Sequence, residues 1–249
     1  MAPKRKCTPS RNPLRSKASS SANTTPFFVW FRDEKAKSYF FKNFSQQGIH
    51  SKCQVILLDI SDTDLPIVIY SRGWGPLCDA SITCPSMLIQ EFYSNMHGFI
   101  YSIPHFITSV RGTRIVVTPQ IVADVLRVLR VEFPNYPGCD LLKTKSKDEL
   151  ISAFCKRPSD WGEHQFTYYS GSAKGPQFLN MVMTFVLHPL SHYNSITKPR
   201  ARFLLSLIVG LTTDFPSHFI LSIIDVYKDM ATRDKLISPS TITRLLRHF

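Results

Sequence analysis

The sequence predicts a mainly α protein: an irregular multi-helix domain with a small β-hairpin or short strands. The first of three observations behind this is the run from Gln177 to Met230, which is apolar and helix-compatible. It is punctuated by Pro189, Pro199 and Pro216, each placed where a helix begins or ends rather than in its middle. The second is composition: 43% hydrophobic residues and 18 phenylalanines in 249 residues are incompatible with disorder along the whole chain. The third is the segment VRGTRIVVT, Val110 to Thr118, whose β-branched content is that of a strand or hairpin arm.

Charge divides the chain before any element does. Residues 1–25 carry six of the 30 basic side chains (Lys4, Arg5, Lys6, Arg11, Arg15 and Lys17) and none of the 18 acidic ones. Half of the net charge of +12 therefore sits in a tenth of the chain. The Ser/Thr/Asn run from Ser16 to Thr25 cannot bury enough apolar surface to order itself, so the expected division is a disordered basic tail, 1–25, and a folded domain, 26–249. PKRK, Pro3 to Lys6, presents localised positive charge of the kind a nuclear import receptor takes up, or a weak, salt-sensitive contact for a phosphate backbone. The expected location is the nucleus, otherwise the cytoplasm.

No apolar leader precedes the six cysteines (Cys7, Cys53, Cys78, Cys84, Cys139 and Cys155), which points to free, mostly buried thiols in a reducing compartment. Cys78 and Cys84 are too far apart for half a zinc site, and no second pair lies at a suitable distance. The apolar runs 178–187 and 203–211 are too short to cross a bilayer, so no membrane span is expected.

In chain order, FFVWF from Phe27 opens the domain. Asp33 and Glu34 suit a first helical turn, and Ala36, Tyr39, Phe40 and Phe44 form one stripe of a helix over 33–45. Asp59, Asp62 and Asp64 lack the glycine and glutamate framework of a hard-cation loop and read as a solvated turn or cap. Gly73, Trp74, Gly75 and Pro76 make a tight turn whose indole plugs the core. A helix from Pro85 to His97 presents Leu88, Phe92, Tyr93 and Met96, and Gly98 ends it. An aromatic loop follows. Thr118 and Pro119 then start a helix with Ile121, Val122, Val125, Leu126 and Leu129 on its face. Arg111 and Arg114 straddle Gly112 but lack the glycine-rich loop that a phosphate site of that kind needs.

Residues 131–145 form a connector, and Ser146, Asp148 and Glu149 cap a helix running to Lys156. The next twenty residues, Arg157 to Pro176, are an exposed loop; its Glu163, His164, Tyr168 and Tyr169 have no fixed mutual geometry. Within the final stretch the inner faces are Leu179, Val182, Met183 and Val186; Ala201, Leu204, Leu205, Ile208 and Val209; and Ile220, Ile223, Ile224 and Tyr227. His188 and His192 occur in HPLSH rather than HExxH, with a proline between them and no glutamate base, and read as loop or capping residues. Ser238 and Pro239 start a last helix, and its apolar, uncapped end at Phe249 leads us to expect further chain or a partner.

GWGPLCD, PSMLIQEFYSNM, SVRGTRIVVTPQIVADVL and LNMVMTFVLHPLSHYNSITKPRARFLLSLIVG occur in that order. Together they resemble the plant transposon protein domain of proteins derived from plant long-terminal-repeat retrotransposons of the Athila type, over roughly 27–249. The resemblance implies a mostly helical domain with no established catalytic role. Its pattern falls on Gly73, Trp74, Glu91, Phe92, Tyr93, Arg111, Gly112, Pro189, Ser191, His192 and Ala201, which we read as structural. The separated carboxylates of two-metal strand transfer are missing, as are reverse transcriptase, protease and Cys/His-knuckle signatures. The expectation is a non-enzymatic interaction or assembly domain without cofactor, acting through self-association or a protein partner. The alternatives are a nucleic-acid-binding protein using its basic tail and an uncharacterised enzyme.

Overall fold

The computed structural model describes residues 30–49, 56–79, 82–83, 85–154, 165–167, 183, 195–229 and 235–249. The basic tail, HPLSH and most of the first helix expected in the final stretch lie outside these residues. Asp33 starts the first helix as its N-cap, accepting the Ala36 N–H at 2.7 Å. That hydrogen bond, aided by Arg32, holds the Asp33 carboxyl below its ordinary pKa. Helix α1 (Glu34–Tyr39) widens into a π turn (Phe40–Phe44), which keeps Ala36, Phe40 and Phe44 on the buried side. A 3-10 turn (Leu57–Ile60) leads into α2 (Leu65–Ser71), and Asp59, Asp62 and Asp64 are exposed around it.

Helix α3 (Ser86–Ser94) is shorter than expected, and Gly98 lies inside a strand rather than ending the helix. Asn95 makes the break: its amide donates to the carbonyls of Trp30 (2.7 Å) and Ser109 (2.8 Å), and its Oδ1 accepts the Arg32 N–H. These bonds draw the chain towards the sheet. The segment expected to be an aromatic loop is therefore largely β2 (His97–Ile100) and β3 (His105–Val110), which with β4 (Thr113–Val117) form an antiparallel meander. In β3, Phe106, Thr108 and Val110 point inward in alternation, the half-buried period of two that marks a strand. Arg111 and Gly112 form the hairpin turn, both with positive φ as a type I′ turn demands.

Helix α4 (Pro119–Leu126) begins as expected, with Thr118 capping the Ile121 N–H, but it stops before Leu129, which is 67% exposed. The Val128 N–H donates to the Ala123 carbonyl and the Arg127 N–H to that of Asp124. This is a Schellman stop, with Arg127 in the left-handed conformation where glycine is usual. The connector holds a short helix, α5 (Asp140–Lys143). Ser146 and Glu149 then make a reciprocal capping box at the start of α6 (Lys147–Phe154). Part of the expected loop is also a strand: β5 (Gln165–Thr167) pairs with β6 (Ser195–Thr197).

The second and third helices of the final stretch are α7 (Lys198–Ile208) and α8 (Phe215–Lys228), with Pro199 and Pro216 in their first turns. Ala201, Leu204 and Leu205 are buried as expected, but Phe203 and Leu207 complete that face while Ile208 and Val209 are exposed. Helix α9 (Pro239–His248) closes the chain. A two-residue parallel pair, β1 (Gly48–Ile49) with β7 (Lys235–Leu236), joins the first and last parts. Phe31 through Leu245 contribute to one apolar cluster, in which Trp74, Tyr93, Phe44, Phe92 and Phe106 are the largest buried side chains among the described residues.

Candidate functional site

The family-pattern residues that can be described converge on the frame of the fold. Glu91, 1% exposed, accepts the Arg111 N–H through Oε1 at 2.6 Å and pairs with the Arg111 Nε at 3.3 Å. Burial pushes the Glu91 carboxyl above its ordinary pKa, and Arg111 works against that rise. The Arg111 guanidinium also lies 3.8 Å from the Trp30 ring centre, a cation–π contact. Arg111 is thus held by Glu91 and Trp30 while its side chain stays partly open to solvent, and Arg114 is exposed on the next strand.

Phe92 and Tyr93 are fully buried, and the Tyr93 hydroxyl donates to the Ile237 carbonyl, tying α3 to the approach to α9. Trp74 is 2% exposed, packs on Phe215 at 5.6 Å, and is covered by Arg72, which donates to the carbonyls of Leu207 and Leu211. Gly73 has φ +68 and lies against Leu129. Ala201 is buried in α7. Each of these residues holds elements together. Pro189, Ser191, His192, Glu163, His164, Tyr168, Tyr169 and the basic tail residues lie outside the described residues.

The strongest chemical constellation is one the sequence reading missed. Asp214, just before α8, accepts from the Arg130 Nε at 2.9 Å, from the Val131 N–H at 3.0 Å and from the Ser217 hydroxyl. The segment after α4 is held further by Asn135 and Tyr136, whose N–H groups donate to the Thr212 hydroxyl and carbonyl. These bonds enclose a cavity of about 400 Å³, lined by Tyr101, Ile103, Pro104, Pro119, Tyr136, Ser217, His218 and Leu221 among others.

His218 stacks on Phe203 with ring centres 4.0 Å apart and meets Tyr136 edge-on. Desolvation lowers the His218 pKa to about 4 and raises that of Tyr136 to about 12, so both rings are neutral near pH 7. Asp214, Ser217 and His218 could suggest a hydrolytic triad, but the bonds run the wrong way. The Ser217 proton is committed to Asp214, a carboxylate already occupied by Arg130 and Val131, and no described hydrogen bond joins His218 to Ser217. Nucleophilic catalysis needs the base on the hydroxyl. The arrangement anchors a loop and leaves a mainly apolar recess. Only the charge-matched Arg130 and Asp214, 84 residues apart, could have hinted at it, and sequence spacing does not encode such a pairing.

Among the described residues no group of three metal-ligating side chains is placed to hold an ion, and no helix is long and apolar enough to cross a membrane. Neither the curated proteins nor the solved structures contain a match to the chain. A family model described as "Putative plant retrotransposon-related domain" matches residues 70–249, a span that contains Trp74, the Glu91–Arg111 brace, the hairpin and helices α3 to α9. By that match the chain belongs to the plant retrotransposon-related domain family.

Proposed function

We propose that the chain is a non-enzymatic interaction or assembly domain, and that the element behind it is of the Athila type, an origin supported by the order of its four sequence motifs. The observation that carries the functional reading is the recess beside α8. Its wall is mainly apolar, the Arg130–Asp214 pair, Ser217 and His218 are bonded or neutral, and the exposed Glu132 is the remaining charge in the lining. Ile103 on that wall is 71% exposed, and Phe133, between the lining residues Glu132 and Pro134 in the chain, is 84% exposed. Such a surface gains by covering an apolar side chain of another protein molecule, either a further copy of the chain or a different partner.

Sedimentation velocity over a wide concentration range tests the assembly form. The expected result is concentration-dependent association that Phe133→Asp removes while leaving the melting temperature unchanged, because an exposed side chain contributes little to the fold. A monomer at every concentration rules out assembly.

A second reading rests on one sequence fact, the six basic and no acidic side chains of residues 1–25. This tail serves nuclear import or a weak, salt-sensitive nucleic-acid contact, and nuclear accumulation of a tagged chain should be lost when Lys4, Arg5 and Lys6 are replaced by alanine.

A further inference from the structure

We propose that the groove between the end of α4 and the last two turns of α9 binds the phosphate backbone of a nucleic acid. This site belongs to the folded domain and is separate from both the basic tail and the recess beside α8. Arg127, Arg244, Arg247 and His248 line one open cavity of about 490 Å³, facing Asp79 and Asp124.

The groove gathers unpaired arginines into one cavity; Arg114 on β4 is also exposed and unpaired among the described residues but does not line it. Arg32, Arg72, Arg111, Arg130 and Arg202 each donate to or pair with a specific acceptor. Arg127, Arg244 and Arg247 have no ion pair or side-chain hydrogen bond among the described residues. Of the two carboxylates, Asp124 is engaged by the Gln120 amide at 2.9 Å. The three guanidiniums outnumber the acids even with His248 neutral.

Ordinary structural reasons account for only part of this cluster. Arg247 and His248 sit in the last turn of α9, where positive charge complements the helix dipole. Arg244 lies a turn earlier and is partly buried, and its spacing of three from Arg247 sets two like charges side by side. Ile242 and Leu245, both fully buried, fix the roll of α9 that presents them. Arg127 comes from a different element and holds φ +57, ψ +42 at a helix stop that glycine occupies more easily. Arg127 nevertheless lines the same cavity.

Planar guanidinium forks match phosphate oxygens in pairs, and a groove open to solvent lets a chain of phosphates pass where an enclosed pocket would not. Outside the basic tail the chain still carries 24 basic and 18 acidic side chains, a net +6 that adds a modest long-range attraction for a polyanion.

The test uses the full chain and measures fluorescence anisotropy with labelled single-stranded RNA and DNA, with inorganic phosphate and poly-glutamate as competitors. Arg127→Gly and Arg247→Gln are each expected to weaken oligonucleotide binding severalfold, and Arg247→Gln to lower the log–log salt slope by about 1. Arg114→Gln, the same loss of charge at an exposed strand position, should leave affinity close to that of the parent. Arg127→Gly puts the preferred residue at the helix stop, so an unchanged or raised melting temperature separates lost binding from lost fold. Equal weakening by Arg114→Gln overturns the site, as does unaltered binding in both groove variants. Competition by poly-glutamate at the same charge concentration as RNA overturns the nucleic-acid assignment in favour of an acidic protein. Displacement by inorganic phosphate alone at comparable concentration reduces it to a single-anion site.

Discussion

Glu91 shows at residue scale how a charge is kept inside this core. Its two oxygens meet the backbone N–H and the guanidinium of one residue, Arg111, at a hairpin turn whose positive φ angles leave that N–H facing inward. Glu91→Ala removes the acceptor and is expected to lower stability by about 2–3 kcal/mol, the range for stranding a buried donor beside a charge that can still reach water. Glu91→Gln keeps an oxygen for the Arg111 N–H and should cost about 1 kcal/mol. Urea denaturation of the two variants checks this; equal losses would mean that the N–H bond is not what holds the turn. Both residues stand out as motif positions in the sequence. Their pairing does not, because β2 and β3 must first bring the turn back onto α3 across 20 residues.

At the scale of elements, legibility followed the strength of local chemistry. Thr118–Pro119, Ser146–Glu149, Pro199, Pro216 and Pro239 mark helix starts in the sequence and do so in the structure, because a cap or a fixed φ acts within one turn. The end of α3 was hidden: Asn95 decides it through bonds to Trp30 and Ser109, partners a local pattern cannot contain. The end of α4 was hidden for a different reason, since an arginine fills a position where glycine is the usual marker. The α7–α8 contact carries a prediction of its own. His218 has a folded pKa of about 4, below its unfolded value of about 6.5, so the unfolded chain binds the proton more readily between those values. The stabilisation is complete above the unfolded pKa and is lost as pH falls through the window to about 4, a decline on the order of 3 kcal/mol. Glu91, with its raised pKa, works in the opposite sense as it takes up a proton. The His218→Phe variant keeps a ring against Phe203 without the titration, so its stability should fall less than the parent's from neutral pH to pH about 4 in urea titrations. Parallel declines in the two proteins would exclude His218 as the source.

The whole molecule does not divide where the family match begins. Residue 70 falls inside α2, whereas the apolar cluster already includes Phe31, Ala36, Phe40, Phe44, Leu57, Ile60, Leu65 and Ile69. Phe44 stacks on Tyr93 at 6.1 Å and on Tyr227 at 6.3 Å, so one side chain from the first part bridges α3 and α8. The Gln90 amide donates to the carbonyls of Ser45 and Gln47, and β1 pairs with β7. Cutting the chain at residue 70 would expose the facing side chains of α3 and α8 and leave the Gln90 and Asn95 amides without their acceptors at Ser45, Gln47 and Trp30. Each buried aromatic lost in this way removes about 3–5 kcal/mol on the scale of single truncations, and native domains hold only about 5–15 kcal/mol in total. Residues 70–249 produced alone should therefore lack a cooperative thermal transition and aggregate, whereas residues 26–249 should melt cooperatively by circular dichroism. A cooperative transition in the shorter polypeptide at the temperature of the longer one would show that residues 26–69 pack on a domain that is already complete.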